Sequence, residues 1–287
     1  MTAQRQRRGG FIVSVVGLVL VILGVLWLAV IFPSLDKVPT GYERTLYFEG
    51  DFTVGPPGNS TNFPIEQILE QKANDTQDGA LFINERYIVK NAATGMDISA
   101  YYGIEQTLAI DRHTLQIVTD VDERHRSGYW GPPRGLGKGD SFDLWNPGAN
   151  QALTASYVRD DTFREMKVVI FEISAQDISI GTDPQSQLPL LLSTVITLTI
   201  DPRTGTVVDQ DSTTTTSMDM MGQKIPVQIS NVRYAESTIV DLMGVANDGA
   251  RKLLLFETVV PCVLIGVGAV LVIIDTVFIG RKRVAKV

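Results

Sequence analysis

Two unbroken apolar runs bracket the chain, and between them the pattern of apolar positions changes period twice. Phe11–Phe32 and Val259–Gly280 are each about as long as a bilayer core requires, roughly 20 apolar residues at 1.5 Å rise. The stretch between them reads mostly at period two, which predicts strands. Thr45–Phe48 opens the series, and Val54–Phe63, rich in Pro and Gly, reads as a loop. Strands follow at Phe82–Val89, Val168–Ile173 and Leu188–Ile200, with Pro189 placed where a strand tolerates it, and Ile104–Asp120 reads as a hairpin. Pro64–Gln71 predicts a short helix with proline in its first turn. Ser212–Ser217, STTTTS, reads as an exposed turn or an edge strand. From Tyr234 the period lengthens. Ala235, Ile239, Leu242, Met243, Ala246 and Ala250 recur every three or four residues, an amphipathic helix leading into the second apolar run.

The expected class is therefore α+β: two transmembrane helices flanking one β-rich antiparallel domain, with a C-terminal helical stalk. The expected boundaries are a basic tail at 1–10, a span at 11–32, the β-rich domain at 33–233, the stalk at 234–257, a span at 258–280 and a second basic tail at 281–287. The first run is longer than the apolar part of a cleaved signal and lacks a small-x-small site, so it reads as an anchor. Gly17 and Gly24 lie seven apart and so share a face, and Gly266 and Gly268 mark the other span. They fit either a close helix–helix contact or the general abundance of glycine in membrane helices.

Charge fixes the expected orientation. The chain carries −7 in total, yet its two tails hold Arg5, Arg7, Arg8, Arg281, Lys282, Arg283 and Lys286. The segment between the spans is therefore at −13, setting aside Asp275 within the second span. Basic ends face the cytoplasm, which puts both termini inside the plasma membrane and residues 33–257 on the extracytoplasmic side. So acidic a middle excludes nucleic acid as a partner, because phosphate contacts need clustered cations. The one cysteine, Cys262, lies within a span, so the chain has no internal disulfide.

Two motifs stand out. Thr107–Asp111 aligns with Thr197–Asp201, Thr114 with Thr204, and Ile117-Val118 with Val207-Val208. This is either a duplicated module or a common Asp-x-x-Thr-Gly hairpin connection. The first copy has Leu115 where the second has Gly205, so its turn differs or is strained. Tyr129–Pro147 holds four glycines and three prolines together with Tyr129, Trp130, Phe142 and Trp145. Such a segment forms a ligand wall, or is a long connection pinned to the sheet by its aromatics. These four aromatics are the candidate ligand-binding residues, gating a half-open sheet that holds an acyl chain.

Catalytic sets are absent from the sequence. It has no GxSxG, HExxH, P-loop or dinucleotide fingerprint. His113 and His125 are the only histidines, and nothing joins either to a serine nucleophile. Asp120, Asp122 and Glu123 offer oxygen ligands for a cation, but Arg124 and Arg126 interleave, so the run reads as a solvated polar turn. No metal and no cofactor are expected. Asp275 reads as a proton relay or, lying six residues before Arg281, as an interfacial carboxylate.

The order of features resembles the PorA family of actinobacterial and related membrane proteins. The resemblance covers nearly the full chain: an anchor ending in Pro33, Gly139–Trp145 (GDSFDLW), Ile200–Val208 (IDPRTGTVV), and a helix leading to Leu253–Pro261 and a Gly-containing span. Leu115 and the short acidic linkers depart from it. The family name implies a pore. A pore needs a closed barrel or several helices, whereas both spans here are apolar on all sides. The leading expectation is thus a non-enzymatic envelope protein that binds a lipid, a glycan or a protein partner. The alternative is a porin-like channel or transporter subunit working as an oligomer.

Overall fold

The computed structural model describes residues 2–35 and 37–284. Asp36, Lys286 and the side chains of the basic tails lie outside the described residues. The chain forms two compact units, one made of its two ends and the other of residues 38–247.

The first unit is a helix pair. Helix α1 (Thr2–Leu26) passes through a π-turn (Trp27–Ile31) into the short α2 (Phe32–Leu35), and a second π-turn (Leu254–Val259) leads into α5 (Val260–Val284). Each π-turn ends two residues before a proline, Pro33 and Pro261. Proline has no N–H and its ring crowds the carbonyl four residues back. The i→i−5 bonds of Phe32 to Trp27 and of Val260 to Leu255 absorb that break. Trp27 Nε1 donates to the Phe256 carbonyl at 2.7 Å, inside the facing π-turn.

Outward residues such as Leu18, Ile22, Val263, Val270 and Ile273 are exposed and give both helices an apolar outer surface. The inward seam runs at three- and four-residue spacing through Ser14, Gly17, Val21 and Gly24. Of the two readings of the glycines, the structure shows the close contact. A Cβ on Gly17 would meet the Gly268 carbonyl at 2.6 Å, and one on Gly268 would meet that of Gly17 at 2.5 Å. Gly266 faces open space. Asp275 lies two turns after Gly268 on the same seam. It is buried and accepts a hydrogen bond from the Ser14 hydroxyl. The carboxylate therefore takes part in the helix contact.

The second unit is a ten-stranded antiparallel sheet: β1 (Glu43–Val54), β2 (Thr61–Gln77), β3 (Ala80–Asn91), β4 (Ile104–Asp111), β5 (Ser141–Asn146), β6 (Gln151–Phe163), β7 (Met166–Thr182), β8 (Pro189–Asp201), β9 (Thr206–Met220) and β10 (Gln223–Tyr234). Their order across the sheet is β4-β3-β2-β1-β10-β9-β8-β7-β6-β5. The expected half-open sheet is closed instead. Residues between β4 and β5 bridge its two edges. Asp111 N donates to Gln116 O and Val118 N to Ala109 O, each at 2.8 Å. Ile117 N then donates to Gly128 O, and Tyr129 N to Asp143 O on β5. Backbone pairing through this segment joins the two edges of the curled sheet.

Three expectations fail here. Pro64–Gln71 is strand, not helix. Its buried residues Ile65 and Leu69 are four apart, a spacing that a helix face and a strand face both satisfy, and pairing with β1 and β3 decides it. Tyr129–Pro147 is not one loop, because β5 occupies its second half. Ser212–Ser217 is neither a turn nor an edge; it is the middle of β9, flanked by β8 and β10.

The repeated hairpin resolves into a turn type. In Asp111–Leu115 and Asp201–Gly205 the fifth residue donates its N–H to the first residue's carbonyl at 3.0 and 2.9 Å, and has φ +63° and +73°. Asn91–Gly95 and Asp183–Gln187 do the same, at φ +72° and +57°. In three of the four the first side chain also caps the fourth residue's N–H, and in Asp201–Gly205 it caps its hydroxyl. Four occurrences mark a connection, not a duplicated module. Leu115 holds the same left-handed conformation as Gly205 and bears its strain.

Helix α4 (Glu236–Leu253) follows β10. Ile239 and Leu242 join Leu46, Phe48 and Leu69, while Ala246 joins Met166, Val168 and Ile170 on the other face of β7. Thr238 is buried, and its hydroxyl bonds both backbone groups of Tyr47, at 2.8 and 3.0 Å. The hydroxyl takes over at the point where the β1–β10 ladder ends.

Candidate functional site

The barrel holds a cavity of about 670 Å³, partly open to solvent, within the roughly 300–1,000 Å³ of small-molecule sites. Strand alternation sorts its walls. Leu46 and Phe48 of β1, Leu69 of β2 and Leu192, Ile196 and Leu198 of β8 give an aliphatic and aromatic side. Alternate residues of β9 and β10 (Gln210, Ser212, Thr214, Thr216, Gln228 and Ser230) give a neutral polar side. The inward residues of STTTTS are thus Ser212, Thr214 and Thr216. Ser212 donates to the Val232 carbonyl, and Thr214 shares a hydrogen bond with Thr194 at 2.9 Å.

Toward one end of the strands the cavity meets a polar layer. Gln71, Glu85 and Gln106 are directly paired across β2, β3 and β4 and are all buried. Glu85 accepts from Gln71 Nε2 at 2.7 Å, Gln106 Nε2 at 2.8 Å and Trp130 Nε1 at 2.8 Å. Tyr42 donates to Gln71 Oε1 at 3.1 Å. Burial pushes the Tyr42 hydroxyl up to about 12, with nearby Arg44 pulling the other way, so it remains a donor at neutral pH. Trp145 Nε1 and Arg126 Nη1 donate to Gln106 Oε1, at 3.2 and 3.1 Å.

Arg126 belongs to the segment that closes the barrel. It grips Asp122 through two bonds of 2.8 and 2.7 Å, and it also donates to the Thr107 carbonyl. Both side chains are almost fully buried. Burial pushes the Asp122 carboxyl up, but the Arg126 bonds and charge hold it below the usual carboxylate range. The expected solvated turn is therefore a buried ion pair, made possible by the i,i+4 spacing of Asp122 and Arg126. Among the described residues no group of three His, Cys, Asp or Glu is placed to hold a metal. His113 sits in an exposed turn, His125 Nδ1 faces the Thr119 carbonyl, and neither lines the cavity.

The four aromatics proposed from sequence do not gather into one gate. Trp130 and Trp145 line the cavity. Trp130 also stacks edge-on against Tyr42 at 5.4 Å, and the Arg126 guanidinium lies 5.6 Å from the Trp145 ring centroid. Phe142 packs on Phe171 in the core, and Tyr129 packs on Phe142. Sequence reasoning passed over Glu85, Gln71, Gln106 and Tyr42. The signal was present: Leu81, Ile83, Glu85, Tyr87 and Val89 share one face of a strand, and one of the five is charged.

Comparison with known proteins gives three results. A family model described as Porin PorA matches residues 10–277. No curated protein matches. Among solved structures, the chain is similar to Rv2717c from M. tuberculosis, at 12% identity and a TM-score of 0.29, over 66% of this chain and 91% of that one. It is also similar to DynF from the dynemicin biosynthesis pathway of Micromonospora chersina, at 11% identity and a TM-score of 0.26, over 69% of this chain and 81% of that one.

Proposed function

We propose that this chain, which belongs to the porin PorA family, is a membrane-anchored binding protein and not an enzyme. Its two apolar helices hold it in the bilayer, and its barrel takes a small amphipathic molecule such as a lipid on the extracytoplasmic side. The observation that carries this reading is the closed barrel around a cavity with one aliphatic wall and one hydroxyl- and amide-bearing wall. The acidic middle between two basic tails supports the orientation.

Family membership favours a second reading, an oligomeric porin-like channel. The outward residues of the barrel weigh against its strands crossing lipid. On β1 they are Glu43, Thr45, Tyr47, Glu49 and Asp51, all exposed, whereas a membrane barrel presents an apolar band outward. A channel would have to be built from the helices of several copies.

The test is lipid extraction and mass spectrometry of the full-length protein purified from its native membrane, beside a Thr214→Trp variant that narrows the cavity. A chain-bearing molecule retained by the wild type and lost from the variant supports the binding role. No retained molecule, together with unitary conductance steps in planar bilayers, would favour the channel.

A further inference from the structure

We infer that the polar end of the cavity selects a ligand with a cationic, hydrogen-bond-donating head, such as a primary amine on an apolar chain. This inference rests on the cavity-binding reading above. It comes from the direction of the hydrogen bonds around Glu85.

Each amide in the layer is oriented by its outer partner. Gln71 Oε1 accepts from Tyr42 and Gln106 Oε1 accepts from Trp145 and Arg126, so both amide nitrogens turn toward Glu85. With Trp130 Nε1, three neutral donors converge on one carboxylate that is only 4% exposed. One N–H of each amide and the Trp130 N–H point at Glu85, while Tyr42, Trp145 and Arg126 aim theirs at the amide oxygens. No ion pair of Glu85 occurs among the described residues. Arg126 is engaged by Asp122, and Arg44, a cation on the cavity wall, lies over the Tyr42 ring at 5.5 Å.

A buried charge held only by neutral donors is incompletely compensated, and a counter-charge on the ligand supplies the remainder. Three donors leave the carboxylate room for a fourth, since its two oxygens together offer about four lone-pair positions. An ammonium head fits that vacancy with three donors of its own. A carboxylate head meets like charge, and an alcohol brings one neutral donor. The aliphatic wall then takes the chain.

The experiment compares decylamine, decanol and decanoate on the full-length protein in phosphatidylcholine nanodiscs. Binding is read by calorimetry, with the Thr214→Trp variant subtracting partition into lipid. Decylamine is expected to bind at least about tenfold tighter than the other two, which is about 1.4 kcal/mol, and Glu85→Gln is expected to erase the difference. Equal binding of all three, or tighter binding of decanoate, overturns the amine preference and leaves the cavity reading standing. Binding of none overturns both. Should Glu85→Gln unfold the barrel, the wild-type comparison of the three heads decides alone.

Discussion

Replacing Arg126 with alanine tests the account of how the barrel closes. Arg126 is the hub of the closing segment: it neutralises Asp122, which is 2% exposed, and reaches Gln106 and the Thr107 carbonyl on β4. Its removal leaves a buried carboxylate without a counter-ion, and breaking a buried pair from one side costs about 3–5 kcal/mol. For a domain of this size each kcal/mol moves the midpoint by roughly 2–4 °C, so a fall of roughly 6–20 °C is expected. The assay is thermal unfolding of the full-length protein in micelles, followed by tryptophan fluorescence, because Trp130 and Trp145 both sit in the affected network. The double variant Asp122→Leu, Arg126→Leu removes both charges and is expected to recover most of the loss. The pH dependence has a definite sign. The folded Asp122 value lies below the unfolded one of about 3.9, so its contribution is full above about pH 5 and is lost as pH falls through the folded value. A cost under about 1 kcal/mol for Arg126→Ala, the range of exposed pairs, would refute the claim that this pair is buried and holds the closure.

Three further outcomes follow from named contacts. Thr238→Ala removes both hydroxyl bonds to the Tyr47 backbone and is expected to cost about 0.5–1.5 kcal/mol in chemical denaturation, since the part-buried Tyr47 N–H loses its partner while the carbonyl keeps its bond from Ala235. Gly205→Ala is expected to cost clearly more than Gly95→Ala: both residues have positive φ, but only at Gly205 would a Cβ meet backbone, the Pro132 carbonyl at 2.5 Å. Ser14→Ala removes the interhelical hydrogen bond to Asp275 and is expected to weaken the helix pair by about 0.6–1.7 kcal/mol in a steric-trap or micelle unfolding measurement.

Much of the fold was legible because its cues are local. Uniform apolarity over a bilayer length marks both helices, and short β-branched and aromatic apolar runs mark β1, β3, β7 and β8. The three-to-four spacing from Ile239 to Ala246 marks α4, and both clusters it joins use that stripe. Reading failed where a local pattern has two solutions. Ile65 and Leu69 suit a helix or a strand, and only the ladders to β1 and β3 choose. In STTTTS no residue is apolar, so alternation carries no contrast; placement between β8 and β10 makes it a wall. Closure was hidden for a different reason. It is made by Gln116–Val118, read only as an arm of the first hairpin, and by Gly128–Trp130, too short to read as a strand, and their partners lie on opposite edges of the sheet.

The site was legible in its parts and not in its arrangement. The aromatic Gly/Pro-rich segment does reach the cavity, but through Trp130 and Trp145, while Tyr129 and Phe142 serve the core. What organises Trp130 is Glu85, 45 residues earlier in the chain. A glutamate inside an apolar strand face looks like a mismatch until its donors are seen to come from β2, from β4 and from the segment that seals the barrel. The sealing segment therefore has two roles. The Asp122–Arg126 pair fixes it to β4, and four residues later Trp130 supplies one of the three bonds that hold the carboxylate. A change that frees the seal should disturb Glu85 as well. Stability and ligand affinity are accordingly expected to fall together in Arg126→Ala, and separately in Thr238→Ala, whose bonds lie at the β1–β10 end.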